Sequence, residues 1–295
     1  MVLPKVFAVT VNWNRPQETC TCIDSLLNQN NIHLQILVVD NGSSDNSVEI
    51  IRAKYQADSV HVIELSKNMG FAGGYNAGMR HALELSADFI LIINNDAEAE
   101  PDMGRRLLAG LDEKIGVVGP AIFYSDAPKR LWSSGGTISP IFLEPKDAHS
   151  RKKPLPPMQI HRTFLSGCAL LFRRQVLEQI GLFDERFFIY YEDLDLCMRM
   201  QRAGIKMALV PGAVVYHKVS VSSDGSDSPL ERYHTARSSG IYFRKYMEGL
   251  YPLWIIPYRF GSALLWTIRL LSRWKTQALK AYWQGLVHGW MRPLP

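Results

Sequence analysis

At 295 residues, with 47% hydrophobic content and ordinary glycine and proline usage, the chain suits one large α/β domain with an appendage, and its composition excludes a mainly disordered protein. The formal net charge of +5 hides an asymmetry: residues 230–295 carry ten Lys/Arg against Glu231 and Glu248, a local net of +8, leaving the first 229 residues at about −3. Four cysteines without C-x-x-C spacing argue against a disulfide framework, and the Val6–Val11 run, broken at Asn12, is too short for a signal peptide, so reduced thiols and a cytoplasmic main domain are expected.

Short apolar runs alternate with helical patterns through the first 120 residues, as parallel βαβ units require. Strands are predicted at Val6–Val11, Gln35–Asp40, Val60–Leu65 and Phe89–Ile93, with helices from about Pro16, Asp45, Gly73 and Pro101. Pro16 and Pro101 suit first-turn positions, where a missing N–H costs nothing. The expected result is a doubly wound sheet with its ligand crevice at the strand carboxyl ends. The polar loops 12–15, 40–45, 67–70 and 94–96 converge on that crevice. From about Tyr124 to Arg162 the texture turns to proline, lysine and glycine, ending in Pro154-Leu155-Pro156-Pro157, which predicts a long, partly mobile excursion over the crevice. A strand from Phe164 to Phe172, a helix from Arg174, the acidic segment Tyr191-Glu192-Asp193-Leu194-Asp195 and a last strand from Met207 to Tyr216 follow.

After residue 230 the pattern is helical and amphipathic. Leu279, Trp283, Leu286 and Trp290 share one face, and Arg269, Arg273 and Lys280 another. The most apolar window, Leu253 to Leu271, is interrupted by Pro257, Arg259 and Arg269, which favours helices lying in a membrane interface over a spanning helix. The alternative is that these helices pack on the domain or on a second subunit. The chain thus divides into a domain of residues 1–229 and a basic helical tail of residues 230–295.

Several polar residues have two readings. Asp40 closes a strand before Asn41-Gly42, so it is either a turn or N-cap aspartate or a carboxylate that accepts the imide N–H of a uracil or thymine. Asn68 to Gly78 is glycine-rich and opens a helix, a geometry in which backbone N–H groups can approach a phosphate, yet it matches neither the dinucleotide-binding nor the P-loop pattern. Asp96 ends an apolar strand, either as a turn residue or as the carboxylate of a hard divalent cation. Glu192, Asp193 and Asp195 begin a helix whose dipole favours acids at about 0.3–1 kcal/mol each, and Asp195 and Arg199 form an i, i+4 pair. The aromatic run before them, Phe183 to Tyr191, is a sugar-stacking platform or core. His217, closing the last strand, is structural or a metal ligand.

Together these pieces resemble family-2 inverting glycosyltransferases of the GT-A fold, in particular the branch with rhamnosyltransferases and galactofuranosyltransferases of cell-envelope polysaccharides. The resemblance runs from about Lys5 to Ser223. It rests on the stretch Val9–Arg15, the Asp40–Asp45 turn, Asn68–Gly78, Asn94-Asn95-Asp96, the Glu192-Asp193 pair and His217. It implies a GT-A mixed sheet with a C-terminal amphipathic helical extension. The family's metal motif is Asp-x-Asp, and here Asn94 holds its first position, leaving Asp96 as the metal ligand and Asn94 as a neutral contact. A histidine some two dozen residues after the base completes the metal site in similar enzymes, and 217 minus 193 is 24, which assigns His217. The second member of the Glu-Asp pair, Asp193, becomes the catalytic base.

By the same resemblance Thr10, Asn12, Arg15, Asp40, Lys67, Asn68, Gly70, Asn94 and Asn95 lie near the nucleotide. Ser166, Gly167, Tyr191 and Glu192 lie near the sugar or acceptor. The implied cofactor is Mg²⁺ or Mn²⁺, the donor a dTDP- or UDP-sugar, and the acceptor a glycan or lipid-linked glycan. The implied partners are an inner membrane face, where the protein would be peripheral, and a second copy of the chain, but no nucleic acid. Two rival readings are a sugar nucleotidyltransferase, whose glycine-rich, Arg/Lys-bearing first loop Val9–Arg15 does not resemble, and a non-catalytic membrane-peripheral scaffold.

Overall fold

The computed structural model describes residues 4–55, 58–147, 155–218 and 227–291. Pro154 and residues 219–223, the far end of the family-like stretch, lie outside these. In chain order β1 (Val6–Asn12), α1 (Pro16–Leu27), β2 (Leu34–Asp40), α2 (Ser47–Lys54), β3 (Val60–Glu64), α3 (Gly70–Glu84) and β4 (Phe89–Ile93) build a parallel β3-β2-β1-β4 sheet. The sequences of β1, β2 and β4 are almost continuously apolar because both faces of these central strands are covered.

Helix α3 lies unusually close to β1. A Cβ at Gly78 would stand 2.4 Å from Val9 Cγ1, and one at Gly74 2.8 Å from Val11 Cγ1. These glycines serve helix-on-sheet contact. The N–H of Gly70 is itself occupied by Asn68 Oδ1 at 2.8 Å.

The second half widens the sheet with β5 (Ala97–Ala99), α4 (Met103–Ala109), β6 (Ile115–Tyr124), β7 (Leu131–Ser133), β8 (Gly136–Ile138), β9 (Pro145–Asp147), β10 (Ile160–Arg162), β11 (Ala169–Arg173), α5 (Arg174–Ile180), α6 (Glu192–Arg202) and β12 (Lys206–His217). Strand β11 inserts antiparallel between β4 and β6, while β12 runs parallel to β6 and antiparallel to β5 and β10. The sheet is mixed, as the resemblance implies. The stretch expected as an irregular excursion carries strands of its own, with β7 on β6, β10 on β12, and β8 paired to β9. The expected strand from Phe164 begins only at Ala169, because Gly167 gives its N–H to the Asp193 side chain instead of a ladder.

Strand β12 carries an irregularity that matters for the site. Val210 pairs with Pro120 and Val214 with Ala121, so residues 211–213 stand outside the register with β6. Pro211 has no N–H to give a ladder. The re-aimed end of the strand sets His217 opposite Ala97 of β5.

The chain forms two compact units, the first being residues 1–137, 145–184 and 193–219. The second joins residues 138–144 and 185–192 to the tail, whose described part holds α7 (Pro229–Tyr246), α8 (Pro252–Ser272) and α9 (Thr276–Met291). Ser228 caps α7 by accepting from the Glu231 N–H, the Glu231 carboxylate accepts from the N–H of Asp227, one residue before the cap, and Pro229 is the first helical residue. Within this unit Tyr242 donates to the Leu143 carbonyl, Ser238 to the Ile189 carbonyl, and Arg259 pairs with Glu144. Helices α7 and α9 touch backbone to backbone: a Cβ at Gly289 would stand 2.3 Å from the Arg237 carbonyl, and one at Gly285 2.3 Å from that of Tyr233.

That seam sets a stability prediction. Gly289→Val should lower the unfolding free energy by roughly 2 kcal/mol or more, since a side chain there must force the helices apart. Gly261→Ala, on α8 with open space at its Cβ, should be neutral or stabilising by about 0.4–1 kcal/mol. Urea denaturation of the two variants checks both signs.

Candidate active site

The four strand-end loops are knitted together by side-chain amides. At the end of β1, Asn12 donates to Asp40 Oδ1 at 2.8 Å and to Ser43 Oγ at 3.1 Å, while its own oxygen accepts from Thr19 at 2.7 Å. Thr19 in turn accepts from Asn95 at 3.0 Å, which ties the β1 and β2 ends to the loop after β4. Asn41 joins the third loop, donating to Asn68 Oδ1 at 3.1 Å and to the Gly70 carbonyl at 3.0 Å and accepting from the Met69 N–H at 2.9 Å. Both amide protons of Asn12 are engaged within the protein, so it positions Asp40. Asp40 also accepts from Ser43 Oγ at 2.6 Å and Ser43 N at 3.0 Å, filling three of its roughly four acceptor sites.

Other residues expected near the nucleotide separate. Thr10 is fully buried beside Cys22 of α1 and faces the core. Arg15 is half-buried and lies 3.7 Å from Glu18, and Lys67 is exposed, its backbone pressed under Gly42, which sits at φ +69°. Tyr191 and Glu192 belong to the second unit. There Tyr191 packs on Tyr242 with ring centroids 5.5 Å apart, and burial pushes its hydroxyl up to about 12. Tyr190 and Tyr191 are both at φ +67°, a left-handed pair costing on the order of 1–3 kcal/mol each, immediately before α6. Phe183 and Phe187 are core residues, so the core reading of that aromatic run holds for them.

Asp96 and His217 are both buried, and the end of β12 brings Asp96 Oδ1 to 3.0 Å from His217 Nε2. The two atoms are close without being aligned for a hydrogen bond: Asp96 Oδ1 has no hydrogen-bond partner among the described residues, and neither does His217 Nδ1. Adjacent ligands at right angles around an octahedral ion with bonds of about 2.1 Å are separated by about 3.0 Å. The pair therefore fits two neighbouring corners of a Mg²⁺- or Mn²⁺-sized site. Among the described residues no third His, Cys, Asp or Glu joins them. A site of this kind takes its remaining ligands from phosphate oxygens and water. Burial pulls the His217 imidazolium down, but Cys168 and Asp96 beside it outweigh burial and carry it up to about 10. The Trp132 ring meets His217 edge-on at 4.8 Å.

Asn94 completes this corner. Its Nδ2 is 3.3 Å from His217 Nε2 and its Oδ1 is 3.2 Å from the Tyr75 hydroxyl. That hydroxyl has a single proton, and the Ile93 carbonyl at 2.9 Å is the nearer acceptor. With the proton on Ile93, an Asn94 amide turned by half a revolution would donate to Tyr75 and face His217 with oxygen.

Asp193 lies on the other side of the start of β11. It is half-buried, with Oδ2 accepting from the Gly167 N–H at 3.1 Å and Oδ1 from the Leu194 N–H at 2.8 Å. Burial raises its pKa above the usual carboxylate value, only partly opposed by the N–H groups of Gly167, Leu194 and Asp193 itself. A Cβ at Gly167 would sit 3.2 Å from Asp193 Cβ and 3.4 Å from the Phe71 ring, so glycine is what lets the carboxylate close on the strand. One residue on, Cys168 accepts from the Asn94 N–H at 2.8 Å and neighbours His217, so a single turn, Ser166-Gly167-Cys168, touches both the base candidate and the Asp96–His217 corner. Ser166 itself accepts from the Cys168 N–H at 3.3 Å. Sequence reasoning missed Tyr75, Thr19, Asn41 and Trp132. The first three lie inside or beside the quoted motifs, but their roles depend on partners from distant segments.

The family model for glycosyl transferase family 2 matches residues 7–181. The dTDP-rhamnosyl transferase RfbF of Shigella flexneri is 26% identical over 248 residues, covering 81% of this chain and 80% of that protein. The N-acetylglucosaminyl-diphospho-decaprenol L-rhamnosyltransferase of Mycobacterium tuberculosis is 28% identical over 258 residues, covering 80% of each. Among solved structures, the mannosyltransferase PcManGT of Pyrobaculum calidifontis, in complex with GDP-Man and Mn²⁺, superposes with a TM-score of 0.61 at 17% identity, over 99% of this chain and 89% of that one. A match over more than half of the chain, on a mixed sheet whose strand ends carry these residues, makes the conclusion direct: the chain belongs to glycosyl transferase family 2 and has the GT-A fold.

Proposed function

We propose that this glycosyltransferase is metal-dependent and inverting, and that it transfers rhamnose from a dTDP- or UDP-sugar to a hydroxyl of a glycan or lipid-linked glycan in cell-envelope polysaccharide synthesis. It would work as a peripheral protein at the inner face of the cytoplasmic membrane. The rhamnosyl and lipid-linked parts draw on the names of the two relatives. The observation that carries the chemistry is the half-buried Asp193 carboxylate, raised in pKa and hung on the same short turn that touches the Asp96 and His217 pair.

In this reading the acceptor hydroxyl attacks the anomeric carbon in line as the bond from that carbon to the diphosphate oxygen breaks. Asp193 takes the hydroxyl proton and the nucleoside diphosphate leaves with the bonding electrons. A general base so placed is worth roughly 10²–10⁴ in rate. Asp96 and His217, with Asn94 beside them, would hold a divalent cation, which when bound supplies charge neutralisation for the leaving diphosphate. Asp40 keeps an unused lone pair on Oδ2 for a base imide N–H, and Asn12 and Ser43 hold it in place. The Gly167 and Leu194 N–H groups aim Asp193 while burial keeps it basic. No observation favours the nucleotidyltransferase or scaffold alternatives.

Three outcomes follow. Asp193→Asn should lower kcat by roughly 10²–10⁴ while dTDP affinity, measured by calorimetry, is retained; wild-type turnover in this variant would remove Asp193 from its role. Gly167→Ala, which presses on the carboxylate, should lower kcat with little change in donor KM. Because Asp193 must be ionised to accept a proton and its pKa is raised, kcat/KM should fall with decreasing pH on a limb lying above the usual carboxylate value of about 3.9, and a limb at or below that value would count against the assignment. The overall test is a release assay across UDP-, dTDP- and GDP-sugars with and without Mn²⁺ and Mg²⁺. Turnover with dTDP-rhamnose that EDTA abolishes is expected, and failure of every donor would overturn the reading.

A further inference from the structure

Helix α8 has two unlike faces. On one, Ala263 and Leu270 are buried and form a small core with Ala236 of α7 and Ala278 and Tyr282 of α9. On the other, Leu253, Ile256, Phe260, Leu264, Ile268 and Leu271 recur every three or four residues and are exposed, Leu253 by 71% and Phe260 by 70%. A scattered exposed leucine is ordinary, but six in a stripe along one helix of 21 residues, about 31 Å long, form a contiguous apolar surface. This is not the face the sequence suggests. Leu279 and Leu286 of α9 turn inward onto the small core, and of that expected face Trp283 stays largely exposed, its indole N–H reaching Thr267 of α8 at 3.1 Å.

The surroundings of the stripe say what covers it. Trp254 stands near its first turn and Trp274 just past its last, the latter 88% exposed, and tryptophan favours the head-group level of a bilayer. Arg269 and Arg273 are partnered by Asp227 at 3.4 and 3.0 Å yet remain about half exposed, and Lys275 and Lys280 follow. The region from residue 230 has ten cations against two acids. The unit that carries the stripe, residues 138–144, 185–192 and 220–295, holds eleven Lys/Arg against seven Asp/Glu, so two copies meeting through this face would set +4 against +4, whereas an anionic lipid surface complements it. No described helix is long and apolar enough to cross a membrane, and Arg259, turned to Glu144 at 2.8 Å, anchors the inner side of α8 to its own unit.

We propose that the exposed face of α8 is a membrane-docking surface that lies in the plane of an anionic lipid bilayer. This rests on the membrane-surface part of the proposed function and names the element that makes the contact.

The test is co-sedimentation of the full chain with phosphatidylcholine vesicles, with and without phosphatidylglycerol. The wild type should bind the phosphatidylglycerol vesicles, and more weakly at high salt. The double variant Phe260→Glu/Leu264→Glu should bind at least about tenfold less, and Leu253→Glu/Ile256→Glu, on the same stripe, provides an independent second reading should the first misfold. Equal binding by a folded double variant, or no vesicle binding by the wild type, overturns the proposal. So does a concentration-dependent dimer that the substitutions abolish while vesicle binding is absent, which would give the face to a second copy. Titration with dTDP separates the two readings: a chain that docks on vesicles but binds no nucleotide keeps this surface and loses the transfer reaction.

Discussion

The meeting of Asp96 and His217 depends on β12 changing its register with β6 between Val210 and Val214. Were residues 211–213 held in register with β6, Val214 instead of His217 would lie opposite Tyr124, and the histidine would fall beyond the end of that pairing. With those residues outside the register, His217 pairs with Ala97 and its ring comes to rest against the neighbouring Asp96. Two residues 121 positions apart in the chain, as 217 minus 96 gives, are thereby held at the separation of adjacent ligands on one ion. A proline-glycine pair is well suited to this detour, since Pro211 withholds a ladder N–H and Gly212 leaves room for the Arg106 side chain.

The three aspartates proposed for the site sit in three unlike environments. Asp40 is held by a serine turn and an asparagine, so most of its capacity is spent inside the protein. Asp96 is buried against an imidazole and leaves an oxygen without a hydrogen bond, which suits a cation. Asp193 accepts from backbone N–H groups and has enough burial to raise its proton affinity, which suits a base. The assignment of roles follows from what each carboxylate lacks.

Much of this was legible before any coordinates. The strands Val6–Asn12 and Phe89–Ile93 announce themselves because a strand covered on both faces must be apolar throughout, and Asp96 announces itself by ending such a run. Asp193 and His217 could be assigned only through a resemblance, since an acid at a helix start and a histidine at a strand end have commoner explanations. What stayed hidden was whatever depends on long-range pairing. The antiparallel insertion of β11, the Tyr75 contact to Asn94 and the inward turn of Leu279 and Leu286 are not encoded in local periodicity. The packing part of Gly74 and Gly78 stayed hidden for a related reason, because a glycine that admits a neighbouring strand reads the same as one that admits a phosphate.

The four cysteines add a quieter consequence. All are buried, with Cys22 directed at the Asn94 carbonyl, Cys168 beside His217 and Cys197 against Leu165, and burial drives the Cys22 and Cys197 thiols far above their ordinary acidity range. The Cys22 and Cys168 sulfurs, beside Asn94 and His217, are shielded from oxidants and alkylating reagents while the floor of the Asp96–His217 corner stays closed. The rate at which such a reagent marks them is therefore a clock for local breathing of that floor, written into the chain without any added probe.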